Sequence, residues 1–89
     1  MPQNSLFHLI CKIAGDELGY DMADMKEIFR RRFLIPKTVK IGNETLEIYP
    51  STTSLSKGQF HELIEDCLRL CAELNITINT KEYNFNGVQ

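Results

Sequence analysis

The sequence predicts an α+β fold of three helices, with a β-hairpin between the second and the third. Apolar residues recur at helical spacing over about residues 3–18, 22–34 and 57–74. Between the last two segments, residues 39–49 alternate apolar and polar side chains, a pattern typical of strands. The change of period from helical to alternating and back again predicts the order of the elements.

The first two helices have clear local boundary signals. We predict the first helix over about Gln3–Leu18, ending at Gly19, because glycine is the usual residue just past a helix. Asp21 is placed to cap the second helix, which must stop before Pro36 because the residue ahead of proline is pushed out of the helical region.

The middle of the chain predicts two half-buried strands. Val39–Ile41 and Thr45–Tyr49 carry the alternating pattern, and Gly42-Asn43-Glu44 between them suits a tight turn. Ile76-Thr77-Ile78, after the third helix, is compatible with a further short strand.

The third helix has the most complete start signal in the chain. Ser56 and Gln59 have the spacing of a capping box, and Leu55 and Phe60 have that of a hydrophobic staple. Asn75 is suited to the left-handed conformation that ends a helix.

Length, charge and composition restrict the class of protein. A chain of 89 residues holds one domain, which we assign to residues 1–78, and residues 79–89 form a polar tail that we expect to be loosely ordered. A net charge of −2 argues against a protein that coats duplex nucleic acid. No apolar run is long enough to span a membrane, and the first residues lack the pattern of a signal peptide, so we expect none. The three cysteines have no secretory context, and we therefore expect a cytoplasmic protein.

Two groups of residues resemble metal or acid–base sites. His8 with Cys11, and Cys67 with Cys71, have helical spacing that would suit zinc, but the two cysteines of the third helix lie in its apolar stripe, which favours a core role. His61 and Glu65 are spaced as a pair on a helix surface, with no second half of a catalytic or metal site. We therefore expect no enzyme activity, no metal and no cofactor.

Basic residues near the end of the second helix are the better candidates for a binding site. Arg forks suit phosphate, and Tyr49, Phe33 or Tyr83 would offer a surface on which unpaired bases stack. Cations that complement a helix dipole are an equally good explanation of the cluster. With the hydroxyl run before the third helix, the candidate nucleic-acid-binding residues are Lys26, Arg30, Arg31, Arg32, Lys37, Lys40, Ser51, Thr52, Thr53 and Lys57.

The order of these segments resembles the NinB (Orf) type of phage recombination protein over about residues 3–78. The resemblance rests on four stretches. The first two are the Gln3-Asn4 helix start with Leu6-Phe7-His8, and the second helix from Gly19-Tyr20-Asp21 to Arg30-Arg31-Arg32-Phe33-Leu34. The other two are Ser51-Thr52-Thr53 leading into a third helix with Leu55-Ser56-Lys57, Phe60 and Leu63-Ile64-Glu65, and the end of that helix at Glu73-Leu74-Asn75-Ile76. Family members carry a β-rich segment ahead of the first of these helices, whereas only Met1-Pro2 precedes it here.

The resemblance implies a non-catalytic recombination mediator of phage or prophage origin. Such a protein would bind single-stranded DNA, form a homodimer, and contact a host single-strand-binding protein or a recombinase. The alternative is a small interaction module that inhibits a host complex through protein contacts, which the acidic pI of about 5.6 favours.

Overall fold

The computed structural model describes residues 2–78 as three α-helices and one antiparallel hairpin, which confirms the predicted α+β arrangement. The predicted tail, residues 79–89, and its Tyr83 lie outside the described residues. In chain order the elements are α1 (Pro2–Leu18), α2 (Met22–Phe33), β1 (Lys37–Ile41), β2 (Glu44–Ile48) and α3 (Lys57–Glu73), with a 3-10 turn at Thr52–Ser54.

The helix ends lie where local chemistry places them. Gly19 has a φ of +90° after α1, and the Asp21 carboxylate accepts the N–H three residues further on, at 2.8 Å. Ser56 and Gln59 form both hydrogen bonds of the capping box, at 2.8 and 3.1 Å. Asn75 has a φ of 62° just past α3. The predicted helix ends are therefore confirmed. Each of them depends only on residues that are close together in the sequence.

The core lies between the three helices. Phe7 makes ring contacts with Phe29 of α2 and Phe60 of α3, with ring centroids 6.4 and 5.7 Å apart. The core residues with least exposure are Leu6, Phe7, Ile10, Cys11, Ala14, Met25, Phe29, Leu63, Ile64, Cys67 and Cys71. All three thiols are therefore core groups, as predicted for Cys67 and Cys71, and burial raises the pKa of Cys11 to about 12.

The hairpin is well formed but lies apart from this core. Gly42, with a φ of +61°, is the first of two turn residues, which is where a type II′ hairpin turn requires glycine. Among the described residues, no side chain of either strand belongs to the core or to the partly buried apolar shell packed on it. The expectation of half-buried strands is thus wrong, and Ile76-Thr77-Ile78 lies in irregular structure rather than in a strand.

Candidate functional site

Arg30 joins α2 to the segment that leaves the hairpin. Its guanidinium donates from Nε to the carbonyl of Pro50 and from Nη2 to the carbonyl of Tyr49, each at 3.0 Å. Nη1 donates to Glu27 Oε1 at 2.6 Å, and only 19% of the side chain is exposed. All three guanidinium nitrogens of Arg30 donate hydrogen bonds within the protein. We therefore expect Arg30 to hold the hairpin in place rather than to contact a ligand.

Arg31 lies on the surface beside Arg30 and shares its carboxylate partner. Its Nε donates to Glu27 Oε2 at 2.6 Å, and its guanidinium carbon lies 5.2 Å from the centroid of the Tyr49 ring. The hydrogen bond from Arg31 is the main reason why the pKa of Glu27 lies below its usual value, with a smaller contribution from Arg30. One carboxylate therefore offsets part of the charge of two arginines.

The other two cations of α2, Lys26 and Arg32, lie in different environments. Arg32 lies over the ring of Phe33, with its guanidinium carbon 5.4 Å from the ring centroid, and makes no ion pair within residues 2–78. Lys26 is half-buried, and its charge acts on the buried Cys11 thiol by opposing the rise of its pKa. Lys26 is therefore near enough to α1 for its charge to act on Cys11, and Arg32 is the more exposed cation.

The two hairpin lysines lie on opposite sides of the sheet. Lys37 pairs in register with Ile48, and Lys40 pairs with Thr45. Because successive side chains of a strand point to opposite faces, Lys37 shares its side with Val39 and Lys40 does not. We call the side that carries Val39, Ile41, Leu46 and Ile48 the apolar side, and the side that carries Thr38, Lys40, Thr45 and Glu47 the polar side.

Arg31 and Tyr49 extend the polar side towards α2. Tyr49 follows β2 directly, one position after a residue of the apolar side, and its ring contacts Arg31. The pKa of Arg31 is raised chiefly by its hydrogen bond with Glu27, and more weakly by Tyr49 and Glu47. The polar side therefore carries Arg31 and Lys40 together with an aromatic ring and the carboxylate of Glu47.

The hydroxyl run before α3 is a folded turn. Ser51 Oγ and Thr53 Oγ1 are hydrogen-bonded at 2.8 Å, and Ser54 Oγ donates to the Ser51 carbonyl at 2.8 Å. Thr52 is buried, with 6% exposed. Ser51 and Thr53 thus remain on the surface with their hydroxyls partnered, whereas Thr52 takes part in packing.

Lys57 is the first residue of α3, and within residues 2–78 it makes no hydrogen bond with an arginine. Its carbonyl accepts from Gln3 Nε2 of α1 at 3.1 Å, and its side chain is exposed. The backbone N–H of Gln59 is already bonded to Ser56, so part of this helix start is occupied by its own cap. Within residues 2–78, no hydrogen bond or ion pair joins a side chain at the start of α3 to the arginines at the end of α2.

Three of the four apolar residues on the apolar side of the hairpin are exposed, and the fourth, Val39, is half-buried. The exposed fractions are 61% for Ile41, 44% for Leu46 and 51% for Ile48. Ile35, in the connection that enters β1, is 87% exposed. Contiguous apolar surface of this kind is a recognised sign of an interaction site, whereas single exposed apolar residues are not.

A second group of exposed apolar residues lies where the helices end. Leu18, Tyr20 and Leu74 are each more than two-fifths exposed, beside a cleft of about 250 Å³ that Leu18 and Leu74 line with Met25. The cleft is lined by residues of all three helices, and in the part of the chain that the structure describes none of its lining residues is charged. This end of the helical core is therefore a second exposed apolar surface that could contact another protein.

Sequence reasoning missed the role of Glu27. This residue lies three and four positions before Arg30 and Arg31, a spacing that favours pairing on a helix, so the signal was present. The contact of Arg30 with the carbonyls of Tyr49 and Pro50 had no such signal, because it joins residues about twenty positions apart.

Comparisons with known proteins do not assign this chain to a family. No protein-family model, curated protein or solved structure matches the chain. The resemblance to NinB-type proteins therefore stays a prediction. Within residues 2–78, no helix is long and apolar enough to cross a membrane, and no group of three or more His, Cys, Asp or Glu residues is arranged to hold a metal ion.

Proposed function

We propose that this chain is a non-catalytic interaction module that self-associates through the apolar side of its hairpin. The observation that carries the proposal is the exposure of Ile41, Leu46 and Ile48 on one side of a hairpin that none of the helices within residues 2–78 covers. A two-stranded hairpin is marginally stable in water unless its apolar face is covered, so a partner on this side stabilises it.

The charges on the apolar side favour a second copy as that partner. Lys37 lies at one end of this side on β1, and Glu44 lies at the other end on β2. A two-fold axis that reverses the strand direction brings each Lys37 towards the Glu44 end of the other copy. Such self-complementarity is what a symmetric dimer interface requires.

The size of the surface predicts a weak dimer. Two five-residue strands cover about 17 by 10 Å. Stable complexes bury about 800 Å² of accessible surface on each partner, which is more than this hairpin offers by itself. We therefore expect a dissociation constant on the order of 10–100 μM.

Sedimentation velocity over a wide range of concentrations tests self-association. The wild type should change from monomer to dimer between about 5 and 500 μM, as this dissociation constant requires. Leu46→Thr with Ile48→Thr should raise the dissociation constant at least tenfold, because threonine keeps strand propensity but removes apolar surface. The matched control, Thr38→Ser with Thr45→Ser on the polar side, should dimerise like the wild type. A wild type that stays monomeric at 500 μM contradicts the proposal.

A charge exchange tests the orientation of the two copies. Lys37→Glu alone and Glu44→Lys alone should each weaken the dimer, because each places like charges together. The double variant should restore the wild-type dissociation constant. If it does not, the two copies do not pack with their strands reversed.

We propose as a second function that the polar side binds single-stranded DNA, in a phage-type recombination accessory protein acting in the host cytoplasm. Arg31 against Tyr49 supports this proposal, since guanidinium and aromatic planes are the surfaces on which unpaired bases stack. Arg32 and Lys40 would add charge. Glu27 and Glu47 lie among them, so we expect weak binding that falls steeply with salt.

Fluorescence anisotropy with a labelled twenty-nucleotide oligo-dT tests the DNA proposal. Binding should be measurable at 25 mM salt, and Arg31→Ala with Arg32→Ala should reduce it at least about fivefold, as the loss of two phosphate contacts predicts. Lys12→Ala on α1 removes one positive charge far along the chain from these residues and serves as the control. Equal affinity of the double variant and the wild type would remove the arginines from any DNA site.

A further inference from the structure

A cleft opens between α3 and the two connections at the base of the hairpin. Phe33, Leu34 and Leu55 line it together with Leu63 of α3, and Ile35 lies at its mouth. Its volume of about 240 Å³ is below the range usual for small-molecule sites but larger than a cavity that admits benzene. The cleft therefore has room for one large apolar side chain.

The rim of the cleft on α3 is acidic. Asp66 is paired with Arg69 at 2.8 Å, whereas Glu62 is exposed and makes no ion pair within residues 2–78. The other polar side chain of this rim, Gln59, is held by the capping box. Among the described residues, no lysine or arginine lines the cleft. Glu62 is thus an available carboxylate beside an apolar floor.

We propose that this cleft binds a segment of a partner protein in which a large apolar side chain stands next to a lysine or arginine. The apolar side chain enters between Leu55 and Leu63, and the cation pairs with Glu62. Exposed ion pairs change affinity only a few-fold, so the apolar side chain supplies most of the affinity and Glu62 selects for the cation. This site is distinct from the apolar side of the hairpin and does not depend on self-association.

Three dipeptide probes test the chemistry of the cleft. Acetyl-Phe-Lys-amide, acetyl-Phe-Gln-amide and acetyl-Phe-Glu-amide share the apolar group and differ in charge. In methyl NMR titrations, the lysine probe should bind about threefold more tightly than the glutamine probe, with the glutamate probe weakest. The methyl resonances of Leu55 and Leu63 should shift most.

Substitutions on α3 separate the two parts of the proposal. Glu62→Gln should bring the affinity for the lysine probe down to that for the glutamine probe, which should itself stay unchanged. Glu65→Gln, on the same helix but outside the cleft, should leave the order of the three probes as in the wild type.

Three results of the NMR titrations would overturn the proposal. The first is equal binding of all three probes, and the second is no change in the methyl resonances up to the solubility limit. The third is that the largest changes occur at Leu18 and Leu74, at the other end of the core. A loss of self-association in Glu62→Gln would show that a second copy fills the cleft, which also contradicts it. Failure here leaves dimerisation through the hairpin untouched, because the hairpin variants Leu46→Thr and Ile48→Thr test that separately.

Discussion

The helical core and the hairpin are both patterned by apolar periodicity, but only the helical pattern is covered. Ile64 of α3 and Phe29 of α2 are almost fully buried, whereas Ile48 of β2 is half exposed. A polar contact joins the two regions, in which Arg30 of α2 donates to the two carbonyls that follow β2. A period in a sequence thus shows which side chains share a face, but not whether the protein itself covers that face.

The largest expected difference between the two regions is in the free energy of unfolding. Ile64→Ala should cost about 2–5 kcal/mol, because it leaves a cavity in the core. Ile48→Ala should change the free energy by less than about 1 kcal/mol at 5 μM protein, where the hairpin is uncovered. Urea unfolding followed by circular dichroism measures both. Equal losses would mean that the hairpin packs on the core.

The contact that joins the two regions should have an intermediate effect. Arg30→Ala should cost about 1–3 kcal/mol, because the carbonyls of Tyr49 and Pro50 lose a charged donor. Amide hydrogen exchange should become faster in the hairpin than in α1. Arg32→Ala is the control, since Arg32 makes no ion pair in the described part of the chain, and it should exchange like the wild type. If Arg30→Ala leaves exchange in the hairpin unchanged, the contact does not hold the two regions together.

The smallest expected effect is a pH dependence at Glu27. Its pKa is lowered in the folded protein, first by the hydrogen bond from Arg31, so the charged form favours folding. This stabilisation is present above the ordinary pKa of 4.5 and is lost as the pH falls through the lowered value. The difference in urea midpoint between wild type and Glu27→Gln should therefore be largest near pH 7 and smaller near pH 3. A difference that grows towards low pH would have the wrong sign.

Features of this molecule that depend on residues close together in the sequence were predictable, and features that depend on tertiary packing were not. The capping box of Ser56 and Gln59, the Asp21 cap and the left-handed Asn75 depend on residues within a few positions, and all were predictable. The burial of Thr52 was not, because it depends on how the turn packs against the helices.

The arginine cluster shows the same limit at the candidate site. Its composition predicts positive charge on the surface. However, Arg30 donates hydrogen bonds to the carbonyls of Tyr49 and Pro50, about twenty positions away, and no short-range pattern shows such a contact. The alternation in β1 and β2 correctly predicts that the apolar residues share one side, but the half-burial expected from it is wrong. What covers a face is a tertiary property, and here we propose that it is a quaternary one.

The most direct test of this account is an isotope-filtered NOE experiment on a mixture of labelled and unlabelled protein at about 500 μM, a concentration chosen to exceed the expected dissociation constant. The account predicts NOEs between copies that join the methyl groups of Val39, Ile41, Leu46 and Ile48. Contacts between copies that involve instead Leu18, Tyr20 and Leu74, or a dimer with no contact at the hairpin, would contradict it.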